Sequence, residues 1–310
     1  MNVPSTNNLL RKKNAGGRRI YEAAVRLFCL LCAGASILTT IGIIYVLVSE
    51  GLHFFQRISV FEFFGGTKWA PTFNPPSFGV LPLLSGTFMI VVGSALIAVP
   101  LGLAVAIYMS EYASPKVRGA LKPALEILAG IPTVVYGFFG LFVVTPFLTR
   151  IHILPEGANG PNCLAGCIVV GIMILPLVSS LCEDALRAVP KNLREAAFGL
   201  GSTKFEVVMK IVFPAALSGI VSAIILAFSR AVGETMAVTL AAGANPTLTL
   251  DPRQPIQTMT AYIVQISKGD TPAGSTAYYT LFAVGLTLFV ITFISNLFAN
   301  WVVRRYRTEY

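Results

Sequence analysis

Arg230 and Glu234 stand four residues apart in "SRAVGETMAV", inside a run from Ala215 to Ala244 that contains no proline and is otherwise almost wholly apolar or small. A guanidinium offers a planar fork of donors that can hold an oxyanion through two parallel hydrogen bonds. A carboxylate four residues further on shares its face of a continuous helix. It accepts hydrogen bonds and cannot donate them, so it would take the hydroxyl of hydrogen phosphate and repel a fully deprotonated anion such as sulfate. The alternative is mutual neutralisation, with the pair serving only to let helices pack. Removing both charges would cost less than burying them, and an aqueous cavity inside a helix bundle lowers the penalty of keeping them.

The elements that hold these charges are membrane helices. Hydrophobic residues make up 55% of the 310-residue chain and charged residues 12%, about half the usual charged fraction of a soluble domain. The mean hydropathy is +0.74. The net charge of +9 does not form one basic patch among stacking aromatics, which argues against a nucleic-acid surface. Among the five cysteines, Cys29 and Cys32 lie in an apolar helical pattern and Cys163 and Cys167 are one helical turn apart. With only His53 and His152 beside them no metal-ligand set emerges, and they read as small packing residues.

Spanning a bilayer takes about 20 apolar residues of helix. Six runs qualify: residues 25–48, 83–109, 124–148, 163–186, 215–243 and 278–303. The first follows a polar, basic stretch and is long enough to span, so it reads as an anchor and not as a cleaved signal. Lysine and arginine collect on one side: Arg11, Lys12, Lys13, Arg18, Arg19 and Arg26; Lys116, Arg118 and Lys122; Arg187, Lys191, Arg194, Lys204 and Lys210; Arg304, Arg305 and Arg307. The other side holds Arg57, Lys68, Arg150, Arg253 and Lys268. Both termini are therefore predicted cytoplasmic. The resulting organisation is a basic cytoplasmic tail (1–24), a first membrane helix (25–48), an extracytoplasmic loop (49–82), a five-helix core (83–303) and a short cytoplasmic tail (304–310). A second long extracytoplasmic segment, 244–277, is proline-containing like the first and also carries Asp251 and Asp270. Both predict turns and irregular structure and are candidate docking surfaces.

Arg230 lies 15 residues beyond Ala215, which is about 22 Å along a straight helix. Prolines at 100, 132, 146 and 176 interrupt the spans, as membrane helices tolerate beside cavities. In "AGIPTVVYGFFG", Thr133 and Tyr136 stand among small residues where a polar pathway or a kinked packing interface would form.

The segment 189–214 is too charged to cross and too patterned for a slack loop. Leu193, Ala196, Ala197 and Leu200 recur at helical spacing, Gly199 and Gly201 permit a turn, and Phe205, Val208, Val212 and Phe213 lead to Pro214. This predicts a helix, turn and helix on the cytoplasmic face. "EAAFGLGSTKFEVVMKIVFP" resembles the EAA loop of ABC importer permeases through Glu195, Ala196, Ala197, Gly201, Ile211 and Pro214, with Phe213 where leucine is usual. The resemblance implies that this helix docks on a separate ATPase subunit. No P-loop occurs in the chain, since the dipeptide Gly-Lys is absent; no cofactor is expected here, and ATP with Mg²⁺ would be used by the partner.

"FSRAVGETMAV", with "GIPTVVYGFFGLF" and "FGVLPLLSGTFMIVVGSALIAVPLGLAVAIYMSEYA", is similar to the phosphate-specific ABC permeases from about residue 70 onward. Gly-Glu-Thr followed by Met-Ala-Val matches the PstC type, where the PstA type continues with Ala-Pro-Leu. The resemblance implies an all-α type I importer permease in the cell inner membrane that is not itself an enzyme. It implies Arg230 and Glu234 on the phosphate path, to which the residue reading adds Thr235, Thr133 and Tyr136 as expected path residues. It further implies a PstA-type second permease, two PstB-type ATPases and a periplasmic phosphate-binding protein. Other oxyanions such as molybdate or sulfate, ion-coupled transport with Glu234 carrying a proton, and a structural role for the pair remain the alternatives.

Overall fold

A computed structural model describes residues 15–269 and 271–306. Arg11, Lys12, Lys13 and Arg307 lie outside the described residues, as do the side chains of Arg18, Arg19, Arg304 and Arg305. The chain divides into two units at Glu50. The first is the exposed, apolar greater part of α1 (Ala15–Phe55), whose width of apolar surface all round suits lipid and not a soluble core. Cys29 and Cys32 are on its exposed surface.

The second unit is a helical bundle built around the tight pairing of α3 (Leu81–Ile107) with α7 (Cys163–Ala188). Small residues allow the approach: a Cβ on Gly93 would collide with Cys167, and one on Gly102 would lie 2.8 Å from Val178. Cys163 and Cys167 are buried there, with sulfurs 3.8 Å apart. Pro100 and Pro176 are carried inside these two helices.

Five described helices are long and apolar enough to cross a membrane, and a sixth span is a bent pair. The spans differ from the sequence expectation in two places. The expected third span, 124–148, is not continuous. A separate amphipathic helix α4 (Pro115–Gly130), with no buried residue, ends at Ile131–Pro132. The crossing then begins at Thr133 with α5 (Thr133–Phe139), a π-helical turn at Gly140–Val144 and α6 (Thr145–Arg150). Proline at 132 has no N–H to continue the helix and biases Ile131 toward extended backbone, while the apolar composition runs on across the break and hides it.

The expected fifth span, 215–243, is broken twice. Lys204–Ala215 and Leu217–Val232 meet at 69°. The second piece, α11 (Leu217–Val232), stops at Gly233. The chain restarts as α12 (Met236–Ala241), wedged against α5 and α7. Glycines make that wedge possible, because a Cβ on Gly140 would lie 2.7 Å from the Ala241 Cβ and one on Gly137 would lie 2.8 Å from Leu240. Gly140→Leu is therefore expected to displace α12 and cost about 3 kcal/mol or more by overpacking, read as a lowered unfolding temperature of the assembled protein in detergent.

The two segments expected on the extracytoplasmic side, 49–82 and 244–277, are more ordered than the turns their composition predicts. Phe54, Phe63, Trp69, Phe78 and Val80 form an aromatic cluster with Tyr262, fastened by α2 (Val60–Gly65) and the two-residue strands β1 (Trp69–Ala70) and β2 (Ser77–Phe78). The second segment contains a helix, α13 (Met259–Lys268), opened by Thr258, whose hydroxyl accepts from the Ala261 N–H. α14 (Thr276–Tyr306) closes the chain.

The segment 189–214 follows the helix, turn and helix expected of it. α8 (Lys191–Gly199) ends at Leu200, and Gly201 takes φ +83°, the left-handed position past a helix end that glycine fills without Cβ strain. Thr203 then opens α9 (Lys204–Val207) through a capping box with Glu206. A π-helical turn (Val208–Val212) and α10 (Phe213–Ala215), which holds Pro214, lead into the bend before α11.

Candidate functional site

Arg230 is in the last turn of α11 and is exposed into a cavity of about 250 Å³. Its walls are Met109 from the π-helical extension of α3 (Tyr108–Tyr112); Lys122, Leu125, Glu126 and Ala129 from α4; and Met173, Pro176, Leu177, Ser180 and Glu183 from α7. Each water occupies about 30 Å³ in the liquid, so the space can hold several waters or a hydrated small anion. Among the described residues Arg230 forms neither an ion pair nor a side-chain hydrogen bond, so its guanidinium fork is open to a ligand. Lys122 is a second cation on the same wall.

Glu234 is placed differently from the sequence expectation. Because α11 ends at Gly233, the two charges do not share one helical face and do not form an ion pair. Glu234 is buried and is not among the residues lining the Arg230 cavity. Its Oε1 accepts the Ala237 N–H at 3.2 Å, and its carbonyl accepts from the Thr260 hydroxyl at 2.8 Å. The carboxylate thus caps the start of α12, where unpaired N–H groups favour negative charge, and the Glu234 carbonyl ties the break to the first turn of α13. Thr235 sits in the break and donates its hydroxyl to the Gly233 carbonyl at 3.1 Å. Tyr136 is buried and donates to the Leu128 carbonyl at 2.7 Å, bridging α5 to α4 across the Ile131–Pro132 corner. Thr133 is the half-buried first residue of α5. None of these four side chains lines the Arg230 cavity, and they do not converge on one point with it.

The sequence reading missed Glu183. It is the one fully buried carboxylate among the described residues, with an exposure of 0%. Arg118 of α4 sits against its Oε1 and Arg187 Nη1 lies 3.7 Å away. Neither oxygen accepts a well-aligned hydrogen bond, so the group is held by charge. The signal available was an acidic residue inside the apolar run 163–186; its partner Arg118 is 65 positions earlier in another helix. Breaking a buried pair leaves one charge uncompensated and costs about 3 kcal/mol. Glu183→Ala should lower the unfolding temperature accordingly, and pairing it with Arg118→Leu should recover part of the loss.

Of the residues expected to couple to an ATPase, Glu195 and Ala196 are exposed, Ala197 is buried, Ile211 packs against the core, and Pro214 is exposed at the bend. The expected apolar face is split. Leu193 and Ala197 turn inward, while Leu200 is 88% exposed and Phe198 and Phe205 are also exposed, leaving an apolar outer surface on a segment that is otherwise charged.

Residues 98–308 match the family described as binding-protein-dependent transport system inner membrane component. The chain is 37% identical over 290 residues to the probable ABC transporter permease protein YqgH of Bacillus subtilis, covering 93% of each. It is 34% identical to the phosphate transport system permease protein PstC of Mesorhizobium japonicum, covering 92% of this chain and 93% of that one. A permease from a bacterial alginate ABC transporter superposes with a TM-score of 0.63 at 16% identity, covering 93% of this chain and 98% of the other. The MetNI methionine ABC transporter gives 0.54 at 20% identity, over 74% and 95%; both likenesses speak for the fold. Predominantly helical and matched by the family model over residues 98–308, the chain belongs to the family of binding-protein-dependent transport system inner membrane components.

Proposed function

We propose that the chain is the PstC-type permease subunit of an ATP-driven importer and moves inorganic phosphate into the cell by alternating access. The observation that carries this reading is Arg230, a guanidinium that has no side-chain partner among the described residues and lines a cavity inside the bundle. The names of the PstC relatives support phosphate as the anion. Arg230 receives the anion with Lys122 nearby. Glu234, Thr235, Thr133 and Tyr136 act on the path by holding the broken helices that enclose it.

Both termini are cytoplasmic in this reading. The partners are a PstA-type permease completing the path, two PstB-type subunits hydrolysing ATP with Mg²⁺, and a periplasmic phosphate-binding protein. Glu195, Ala196 and the left-handed turn at Gly201 face the ATPase, with Leu200 and Phe205 supplying exposed apolar area. On the opposite side a groove of about 1110 Å³ joins the two long segments, from Thr67–Phe73 to Ala244–Thr249 and Gln265. It offers the binding protein a surface to dock on.

Proteoliposomes holding all four kinds of subunit test the substrate. Radiolabelled phosphate should accumulate on ATP addition, and excess sulfate or molybdate outside should not reduce the rate more than about twofold. Equal accumulation of sulfate or molybdate would make this the permease of another oxyanion.

A further inference from the structure

Arg194 directly precedes the Glu195-Ala196-Ala197 triplet, yet its side chain turns inward and is only 15% exposed. Nη1 donates to the Val189 carbonyl at 2.6 Å. Nη2 donates to the Leu186 carbonyl at 2.8 Å and to Glu111 Oε1 at 3.0 Å. Leu186 and Val189 are the last turn and cap of α7, whose free carbonyls carry the negative end of the helix. Glu111 is in the π-helical turn that ends α3, is itself 11% exposed, and also accepts from Ser110. One guanidinium therefore joins three elements: α8, the end of α7 and the end of α3.

A second contact reaches the same place from the other half of the cytoplasmic segment. Lys204, at the start of α9, holds its ammonium 4.7 Å from the centre of the Tyr112 ring, within cation–π range. The end of α3 is thus held by both halves of the helix pair. The helices so gripped are two of those that wall the Arg230 cavity, α7 through Met173, Pro176, Leu177, Ser180 and Glu183, and the end of α3 through Met109.

We infer that Arg194 is the positioning residue that transmits motion of the cytoplasmic helix pair to the cavity walls, by clamping α8 to the cytoplasmic ends of α7 and α3. This rests on the reading of that pair as the ATPase-coupling element. Arg194 touches neither the anion nor, in this view, the ATPase. Its planar fork is what the task requires, since it serves two carbonyls and a carboxylate at once; a lysine ammonium can serve Glu111 but does not reproduce the fork.

The test is the number of ATP molecules hydrolysed per phosphate transported in proteoliposomes containing the complete complex and binding protein. Arg194→Gln should assemble, keep ATP hydrolysis within about twofold, and raise the ratio at least about fivefold, the lower end of ordinary coupling between sites. Arg194→Lys should fall between it and the unsubstituted protein. An unchanged ratio in Arg194→Gln overturns the inference, as does a parallel loss of hydrolysis and transport in the assembled complex, which would make Arg194 a docking residue. If Arg194→Gln fails to assemble, Glu111→Gln reads the same bond from α3, and an unchanged ratio there is equally decisive. A complex without substitutions that hydrolyses ATP but moves no phosphate would count against the substrate reading instead, and the clamp is then judged by the same ratio read with sulfate or molybdate, whichever the complex accumulates.

Discussion

Replacing Arg230 with glutamine should reduce phosphate uptake by about 100-fold or more while leaving the complex assembled and its ATPase subunits bound. Hydrogen bonds to charged groups contribute about 1.5–3 kcal/mol each, and a guanidinium can make two in parallel to one oxyanion. Losing both corresponds to roughly two decades or more in an equilibrium constant. No protein group would be orphaned, because Arg230 makes no ion pair or side-chain hydrogen bond among the described residues and already faces open space. A structural charge would behave in the opposite way, with removal lowering stability and sparing the rate among the molecules that assemble. Arg230→Lys should keep the charge and lose the fork, giving an intermediate uptake. The checks are initial uptake rates in vesicles and the amount of complex recovered by affinity purification through a partner subunit.

Gly201→Asp should abolish transport for a reason that lies outside this chain. A Cβ at Gly201 would meet nothing within 4 Å, so no internal clash follows from a side chain there. The backbone at φ +83° strains an ordinary residue by about 1–2 kcal/mol, and less for aspartate or asparagine, which tolerate this region best. The fold should therefore survive, while a negative charge enters the surface proposed to receive the ATPase. Gly201→Asn is the matched control, with the same backbone tolerance and no charge. We expect uptake below about 5% for the aspartate variant, a substantial residue for asparagine, and an unfolding temperature for the isolated permease pair lowered equally in both, in line with a shared backbone term. Loss of stability in the aspartate variant alone would place the fault inside the chain.

The contrast between these residues shows what sequence can carry. Gly201 was legible because a local rule governs it: a helical apolar pattern ends, and a glycine follows where the chain must take positive φ. The number and placement of apolar runs were legible for the same reason, since lipid imposes length and composition on each segment separately. Breaks within those runs were not. The stop at Gly233 has no proline to announce it and is held by contacts from distant chain, Thr260 on the Glu234 carbonyl and Gly137 and Gly140 making room for α12. Spacing of four residues thus misled about Arg230 and Glu234, because it assumes the helix between them. Glu183 was hidden for a related reason: hydropathy averages over a window, so the adjacent acids Glu183 and Asp184 leave the run apolar, and the partner Arg118 comes from another helix.

Arg194 shows a third kind of limit. Its neighbours Glu195, Ala196 and Ala197 carry the recognisable motif, and by sequence it is one more basic residue on the cytoplasmic side. Only the fold brings the Leu186 and Val189 carbonyls and Glu111 within reach of one guanidinium.

The most direct test of an ATP-driven phosphate permease is accumulation of radiolabelled phosphate in vesicles that contain this chain with its partner permease, ATPase subunits and binding protein. Accumulation should require ATP and all the partners, and should persist when proton and sodium gradients are collapsed. Phosphate accumulation that follows an ion gradient without ATP would contradict the account.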